Sequence, residues 1–309
     1  MLHSLLLLAV FTVQEKKDPP KGPAPTAANV AYGTHPRQVL DFWQAKSDKP
    51  TPLVFMIHGG GWVNGDKSIH AKDVQAFLDA GISAVSINYR LVTQAAEAKV
   101  HPPVQWPIAD AARALQFVRS KSKEWNIDKT RIGATGGSAG GCSSLWLLYH
   151  DDLADPKSDD PVARESTRLY CAGVVGAQTT LEPKILREWM PNARYGGHAF
   201  GFRTPENRDG AFQKYFEERE SVAKWITEYS PMSHVTPDDP PAFLDFPSQK
   251  KPPVKGEPQD DPTHSALLGM ILMEKLKEKK VEGLLAYPGH GHEEYKDATA
   301  YLMDKLKAK

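Results

Sequence analysis

Six short apolar runs, each bounded by turn-forming residues, alternate along this chain with longer segments of helical period, and that alternation admits few folds. The runs are Leu53–Ile57, Ser83–Asn88, Arg131–Ala134, Ala172–Val175, Ala242–Phe246 and Gly283–Tyr287. Helical periodicity falls on His70–Asp79, Ile108–Ser122, Ala139–His150, Ser265–Lys279 and Glu293–Lys307. Runs of this kind are covered on both sides, so the pattern predicts a doubly wound α/β domain: a mostly parallel sheet with helices on both faces. In the helix from Ile108, Ala111, Ala112, Leu115 and Val118 share one face at spacings of three and four. A chain of 309 residues is compatible with one such domain, placed here at residues 27–309.

Two stretches stand outside the alternation. Met1–Val13 is apolar around Leu5–Leu8 and is followed by the polar run Gln14–Asp18; it is too short to cross a bilayer as a helix and reads as a secretory signal. With the Pro-, Lys- and Ala-rich Pro19–Thr26 it makes residues 1–26 a signal-plus-linker segment, and the expected location is periplasmic or extracellular. The second stretch, 181–235, has no strand pattern but carries Trp189, Tyr195, Phe200, Phe202, Phe212, Tyr215, Phe216 and Trp225. Aromatic density argues against disorder, and a long insertion in a compact domain is usually functional, so a cap over a site is expected.

Charge excludes some partners. The chain has 38 basic and 38 acidic side chains, and a balanced surface creates no field for nucleic acid or an anionic membrane. A small molecule or a polymer is the expected partner, with no stable membrane insertion. Cys142 and Cys171 lie in apolar segments and are too few for a disulfide framework or a metal site.

The chemistry concentrates in three places. Gly136-Gly137-Ser138-Ala139-Gly140 follows an apolar strand directly and opens an apolar helix. Small residues around Ser138 let the chain turn sharply there, lifting the hydroxyl above the sheet at a helix N-terminus, the arrangement of a nucleophile elbow. His58-Gly59-Gly60-Gly61-Trp62 follows the strand Leu53–Ile57. Its glycines allow two N–H groups to converge, so Gly60 and Gly61, with the N–H of Ala139, are expected to hold the oxyanion formed when a serine attacks a carbonyl. A base is expected after the last strand, where His290 and His292 both stand in Pro288-Gly289-His290-Gly291-His292. No Cys, His or carboxylate set completes a metal site around that pair, and neither metal nor cofactor is expected. For the acid, Asp261 leads, ahead of Asp260 and Asp245, and Glu257 is open as well. His35, His70, His101, His150, His198 and His234 stand outside this constellation and are assigned surface or core roles, and Asp110 a helix-terminus role.

With those residues in view, the chain from Val39 to Leu306 resembles the α/β-hydrolase esterases of the hormone-sensitive-lipase-like and bacterial feruloyl-esterase-like (BD-FAE-like) group. The matching stretches are His58–Ser68, Asn88–Leu91 (NYRL), Ile127–Arg131 (IDKTR), Gly136–Gly141 and Tyr287–His292 (YPGHGH). The resemblance implies Ser138 as nucleophile, Gly60, Gly61 and Ala139 as oxyanion donors, His292 as base, because His290 falls on the variable position of a P-G-x-G-H turn, and Asp261 as acid. Where the family has a short H-G-x-x-D stretch, this chain has Asp245–Gln259. The implied activity is hydrolysis of short-chain or aryl esters, or of acyl groups on plant polysaccharides, through an acyl-enzyme and without a cofactor. An amidase or peptidase of the same fold and a non-catalytic binding protein are the alternatives.

Overall fold

The computed structural model describes residues 22–203 and 208–307. The proposed signal, Met1–Val13, lies outside the described residues. Eight strands form one sheet: β1 (Ala27–Ala31), β2 (Val39–Trp43), β3 (Thr51–Ile57), β4 (Ser83–Ile87), β5 (Ile127–Gly137), β6 (Cys171–Val175), β7 (Ala242–Asp245) and β8 (Gly283–Ala286). Their spatial order is β1-β2-β4-β3-β5-β6-β7-β8. The β1–β2 and β2–β4 pairs are antiparallel and every other pair is parallel. All six strands expected from the apolar runs are present. The sequence reading missed β1 and β2. Residues of β1 are only partly covered, and β2 carries Asp41 at its centre, where Lys67 Nζ donates to the carboxylate at 2.8 Å and the Asn29 N–H at 2.7 Å.

Nine helices complete the described chain: α1 (Ala71–Asp79), α2 (Val92–Glu97), α3 (Gln105–Ser120), α4 (Ala139–Tyr149), α5 (Pro183–Trp189), α6 (Arg208–Glu217), α7 (Ala223–Tyr229), α8 (Ala266–Lys279) and α9 (Ala298–Lys307). Side chains of β3 alternate between the two faces, as the pleat requires. Val54 and Met56 join Val74 and Phe77 of α1 and Tyr301, Leu302 and Leu306 of α9. Leu53, Phe55 and Ile57 face the larger core, built with α3, α4 and α8. Every residue of α4 is buried, which explains why this helix is apolar all round rather than striped. Residues 181–235 contribute α5, α6, α7 and short 3-10 turns, and Leu181, Trp189, Tyr215 and Ile226 pack into the larger core. Among the described residues, no helix is long and apolar enough to cross a membrane.

Two motifs of the sequence acquire a structural reason here. In NYRL, the Tyr89 hydroxyl donates to the His58 carbonyl at 2.8 Å, Asn88 Oδ1 accepts the Lys67 N–H at 2.7 Å, and Arg90 forks onto Asp110 with a closest approach of 2.6 Å. Asp110 is therefore not a helix-terminus charge: it lies inside α3, 1 % exposed, and also accepts from the Arg90 N–H and Gln38 Nε2. The Tyr89 and Asn88 bonds tie the end of β4 to the loop that follows β3, and Arg90 ties it to α3.

Candidate active site

The parallel strands end on one edge of the sheet, where ligands gather in open α/β folds because loops and helix N-termini converge there. Ser138 sits at that edge between β5 and α4, with φ 53° and ψ −125°, a conformation an L-residue holds only when its surroundings impose it. The surroundings are specific. Its N–H donates to the Val175 carbonyl at 2.9 Å, and its own carbonyl accepts from Cys142 N–H at 2.9 Å as α4 begins. A Cβ on Gly140 would lie 2.0 Å from the Ile57 carbonyl oxygen, and one on Gly136 would lie 2.4 Å from the same atom. The glycines flanking the serine at two residues on either side thus let α4 close onto β3.

The glycine loop lies against this turn. Gly60 and Gly61 have φ of 97° and 59°, and among the described residues their N–H groups have no backbone acceptor. Ala139 begins α4, where first-turn N–H groups have no intrahelical partner and the helix dipole is positive. The loop is fixed from below and from above. Trp62, fully buried, donates from Nε1 to Ser143 Oγ at 3.0 Å, and Ser143 donates on to the Ala139 carbonyl at 2.9 Å. His58 stacks on Tyr89, with ring centroids 4.1 Å apart, and its Nδ1–H donates to the Gly59 carbonyl at 2.8 Å. Burial lowers its pKa to about 4, so the ring is neutral under ordinary conditions. From the 181–235 segment, His198 Nε2–H donates to the Gly61 carbonyl at 3.0 Å.

The histidine facing Ser138 is not the one expected. His264 Nε2 stands 3.0 Å from Ser138 Oγ, and His264 Nδ1 stands 2.7 Å from Asp261 Oδ2. The three side chains form one hydrogen-bonded chain. A carboxylate can only accept, so Nδ1 carries the proton and Nε2 presents a lone pair to the serine hydroxyl, the tautomer a general base requires. The segment is built locally: Asp261 Oδ1 accepts the Thr263 N–H at 3.1 Å, Gln178 Nε2 holds the Thr263 carbonyl at 2.7 Å, and Ser265 caps α8 immediately afterwards.

His292 does not reach the serine. Tyr287 and His290 exchange backbone hydrogen bonds of 3.0 and 2.8 Å, closing a tight turn at the end of β8 that sends the chain back toward α9. His292 consequently lies edge-on to Phe243 and stacked on Tyr295, with centroids 6.3 and 5.7 Å away, on the α1/α9 side of the sheet. His290 stacks on Tyr287. Distance reinforces the point, since β8 lies three strands from β5, roughly 14 Å across the sheet. Asp261 is thus brought together with Ser138 through His264 rather than through His292. Asp245 ends β7, where it accepts from the Ala298 N–H at the start of α9, and burial raises its pKa. The missed residue had a local signal: Asp261 and His264 are three apart in a turn just before an N-capped helix, within reach of each other whatever the rest of the chain does.

A cavity of about 620 Å³ opens above this chain of hydrogen bonds. Ser138, His264, Gly60 and Gly61 form its floor, and Tyr195, Phe202, Arg203 and Phe212 from the 181–235 segment are among its walls. His150, Glu228 and His234 form a separate polar cluster at the far end of α4.

The strand order and the strained serine between β5 and α4 define an α/β-hydrolase fold. The BD-FAE family model matches residues 40–254, and the chain belongs to that family. It is similar to the probable carboxylic ester hydrolase LipM of Mycobacterium tuberculosis, 29 % identical over 229 residues covering 70 % of this chain and 46 % of the relative. Esterase LipC of the same organism is 35 % identical over 129 residues, 40 % of this chain and 30 % of the relative. The chain thus spans about a third to a half of the length of these curated relatives. Among solved structures, the acetyl ester-xyloside bifunctional hydrolase of Caldicellulosiruptor lactoaceticus is 26 % identical, with a TM-score of 0.59 over 82 % of this chain and 77 % of that one. The Thermogutta terrifontis esterase Est2 shares the fold at 20 % identity, with a TM-score of 0.61 over 90 % of this chain and 86 % of that one.

Proposed function

We propose that this protein is a serine-dependent carboxylic ester hydrolase in which Ser138 is the nucleophile, His264 the general base and Asp261 the acid that orients it. The observation that carries the reading is the unbroken series Asp261–His264–Ser138, with steps of 2.7 and 3.0 Å, on the floor of a cavity also lined by Gly60 and Gly61. Ser138 Oγ attacks the ester carbonyl while His264 Nε2 takes its proton, and Asp261 stabilises the imidazolium that results. The oxyanion is held by the N–H groups of Gly60, Gly61 and Ala139. His264 then protonates the leaving alkoxide, and a water activated by the same nitrogen hydrolyses the acyl-enzyme. No step calls for a cofactor.

A cavity of about 620 Å³ suits a short acyl chain with an aryl or sugar alcohol better than a long lipid. The 181–235 segment acts as a cap, because it supplies the aromatic walls and one bond to the oxyanion loop. Acyl groups on a plant polysaccharide are the proposed natural substrate class, a reading supported by the acetyl ester-xyloside hydrolase among the structural relatives.

The test combines fluorophosphonate labelling followed by intact mass with turnover of nitrophenyl acetate, butyrate and laurate. Labelling and turnover vanish in Ser138→Ala and fall at least a thousandfold in His264→Ala, whereas His292→Ala retains both. Loss of activity in His292→Ala with retention in His264→Ala would refute the assignment of the base, and a rate maximum at laurate would refute the short-chain reading.

A further inference from the structure

We propose that His150, Glu228 and His234 bind one Zn²⁺ ion, which fastens the C-terminal part of the 181–235 segment to the end of α4. His150 directly follows α4, Glu228 lies in α7, and His234 closes a 3-10 turn over Pro231–His234. One ligand atom from each lies within 4.8 Å of the others.

The hydrogen bonds leave a charge deficit at the centre of the cluster. His150 Nδ1 is 2.9 Å from the Asp151 carbonyl oxygen, an atom that only accepts, so Nδ1 carries the proton. In the neutral ring Nε2 is then a bare lone pair, and it faces Glu228 Oε1 at 3.2 Å. Two lone pairs so placed repel unless something positive lies between them. His234 Nε2–H donates to the Glu228 carbonyl at 2.6 Å, so Nδ1 is the nitrogen left to ligate. A proton on His150 would satisfy one of these contacts. A divalent cation satisfies all three ligands at once.

The chemistry of the set selects the ion. Two imidazoles and one carboxylate suit zinc far better than calcium or magnesium, which prefer all-oxygen sites. Bonds of 2.0–2.2 Å at tetrahedral angles put neighbouring ligand atoms about 3.3 Å apart, and the His150–Glu228 separation is 3.2 Å. Both histidines already donate their other ring N–H to a backbone carbonyl, the outer-shell bond that fixes ring orientation in zinc sites. Trp146 braces the cluster: its ring lies 4.1 Å from that of His150, and its Nε1 donates to the Glu228 carbonyl at 2.7 Å. Partial exposure leaves room for water as a fourth ligand. The eleven residues of α4 put the ion roughly 16 Å from Ser138, so it holds structure and takes no part in ester chemistry.

The experiment uses the whole protein, stripped with EDTA, dialysed and titrated with Zn²⁺ by calorimetry, with Co²⁺ as a spectroscopic probe. The expected result is one equivalent with Kd in the micromolar range or below, a tetrahedral Co²⁺ absorption band, and a rise in Tm of roughly 4 °C at hundredfold excess over Kd. Glu228→Gln, whose side chain is 44 % exposed and does not endanger folding, weakens Zn²⁺ binding at least tenfold, and the His150→Gln/His234→Gln pair abolishes it. A variant lacking His290 and His292 keeps the full equivalent. No saturable binding below about 0.1 mM, or an equivalent that follows His290 and His292 instead, would overturn the proposal.

Discussion

Acid should destabilise this protein through His58, and the size of the effect can be worked out. Burial lowers the pKa of His58 to about 4, against a reference value of 6.5 in the unfolded chain. Between those two values the unfolded state binds more protons than the folded one, so stability rises with pH across that window and is lost as pH falls through it. The contribution is nearly complete at pH 7. On moving to pH 5 the linkage relation removes about 2 kcal/mol, and at pH 4 about 3 kcal/mol. Burial also lowers the pKa of His70, which adds a loss of the same sign. Comparison with His58→Gln cancels that common part. Urea unfolding of both proteins at pH 7, 6 and 5 supplies the measurement, and the wild type should lose about 2 kcal/mol more than the variant between pH 7 and pH 5. Equal losses would mean that His58 is not buried in its neutral form, and the account of how the glycine loop is held would fail with it.

Other substitutions test separate parts of the same framework. Gly140→Ala would bring a methyl group to 2.0 Å from the Ile57 carbonyl and should abolish ester turnover, whereas Gly137→Ala, whose nearest contact is 3.7 Å away, should fold and keep turnover within roughly threefold. Asp110→Asn should cost about 3 kcal/mol in urea unfolding, because it leaves the Arg90 guanidinium without its counter-charge. His198→Ala removes one hydrogen bond to the oxyanion loop and should lower kcat about fivefold with KM nearly unchanged and Tm within a few degrees of wild type.

The legible part of this chain was the part written in local pattern. The runs that became β3 to β8 are long enough and apolar enough to announce themselves, and the elbow and the glycine loop are contiguous motifs whose geometry follows from their glycines. What escaped notice depends on partners distant in sequence. Strand β2 holds Asp41 because Lys67 and Asn29 satisfy it, and Asp110 is buried because Arg90 and Gln38 arrive from elsewhere. His292, the expected base, fails to face Ser138 for a different reason. The P-G-x-G-H resemblance drew attention to the turn after β8, yet the two backbone bonds between Tyr287 and His290 turn that loop away from the site.

The spacing of Asp261 and His264 has a consequence for how freely this protein can be rearranged. The proposed acid and base share one turn, seated against the end of β6 by Gln178 and fixed at the N-terminus of α8 by Ser265. All three residues of the proposed triad therefore precede β8. The link between β8 and α9 is released from the exacting positional demand that a catalytic loop carries, and it becomes the natural place to cut and rejoin the chain. A circular permutant opened between Gly291 and Glu293, or a reporter domain spliced in at the same point, should inherit an undisturbed reaction centre.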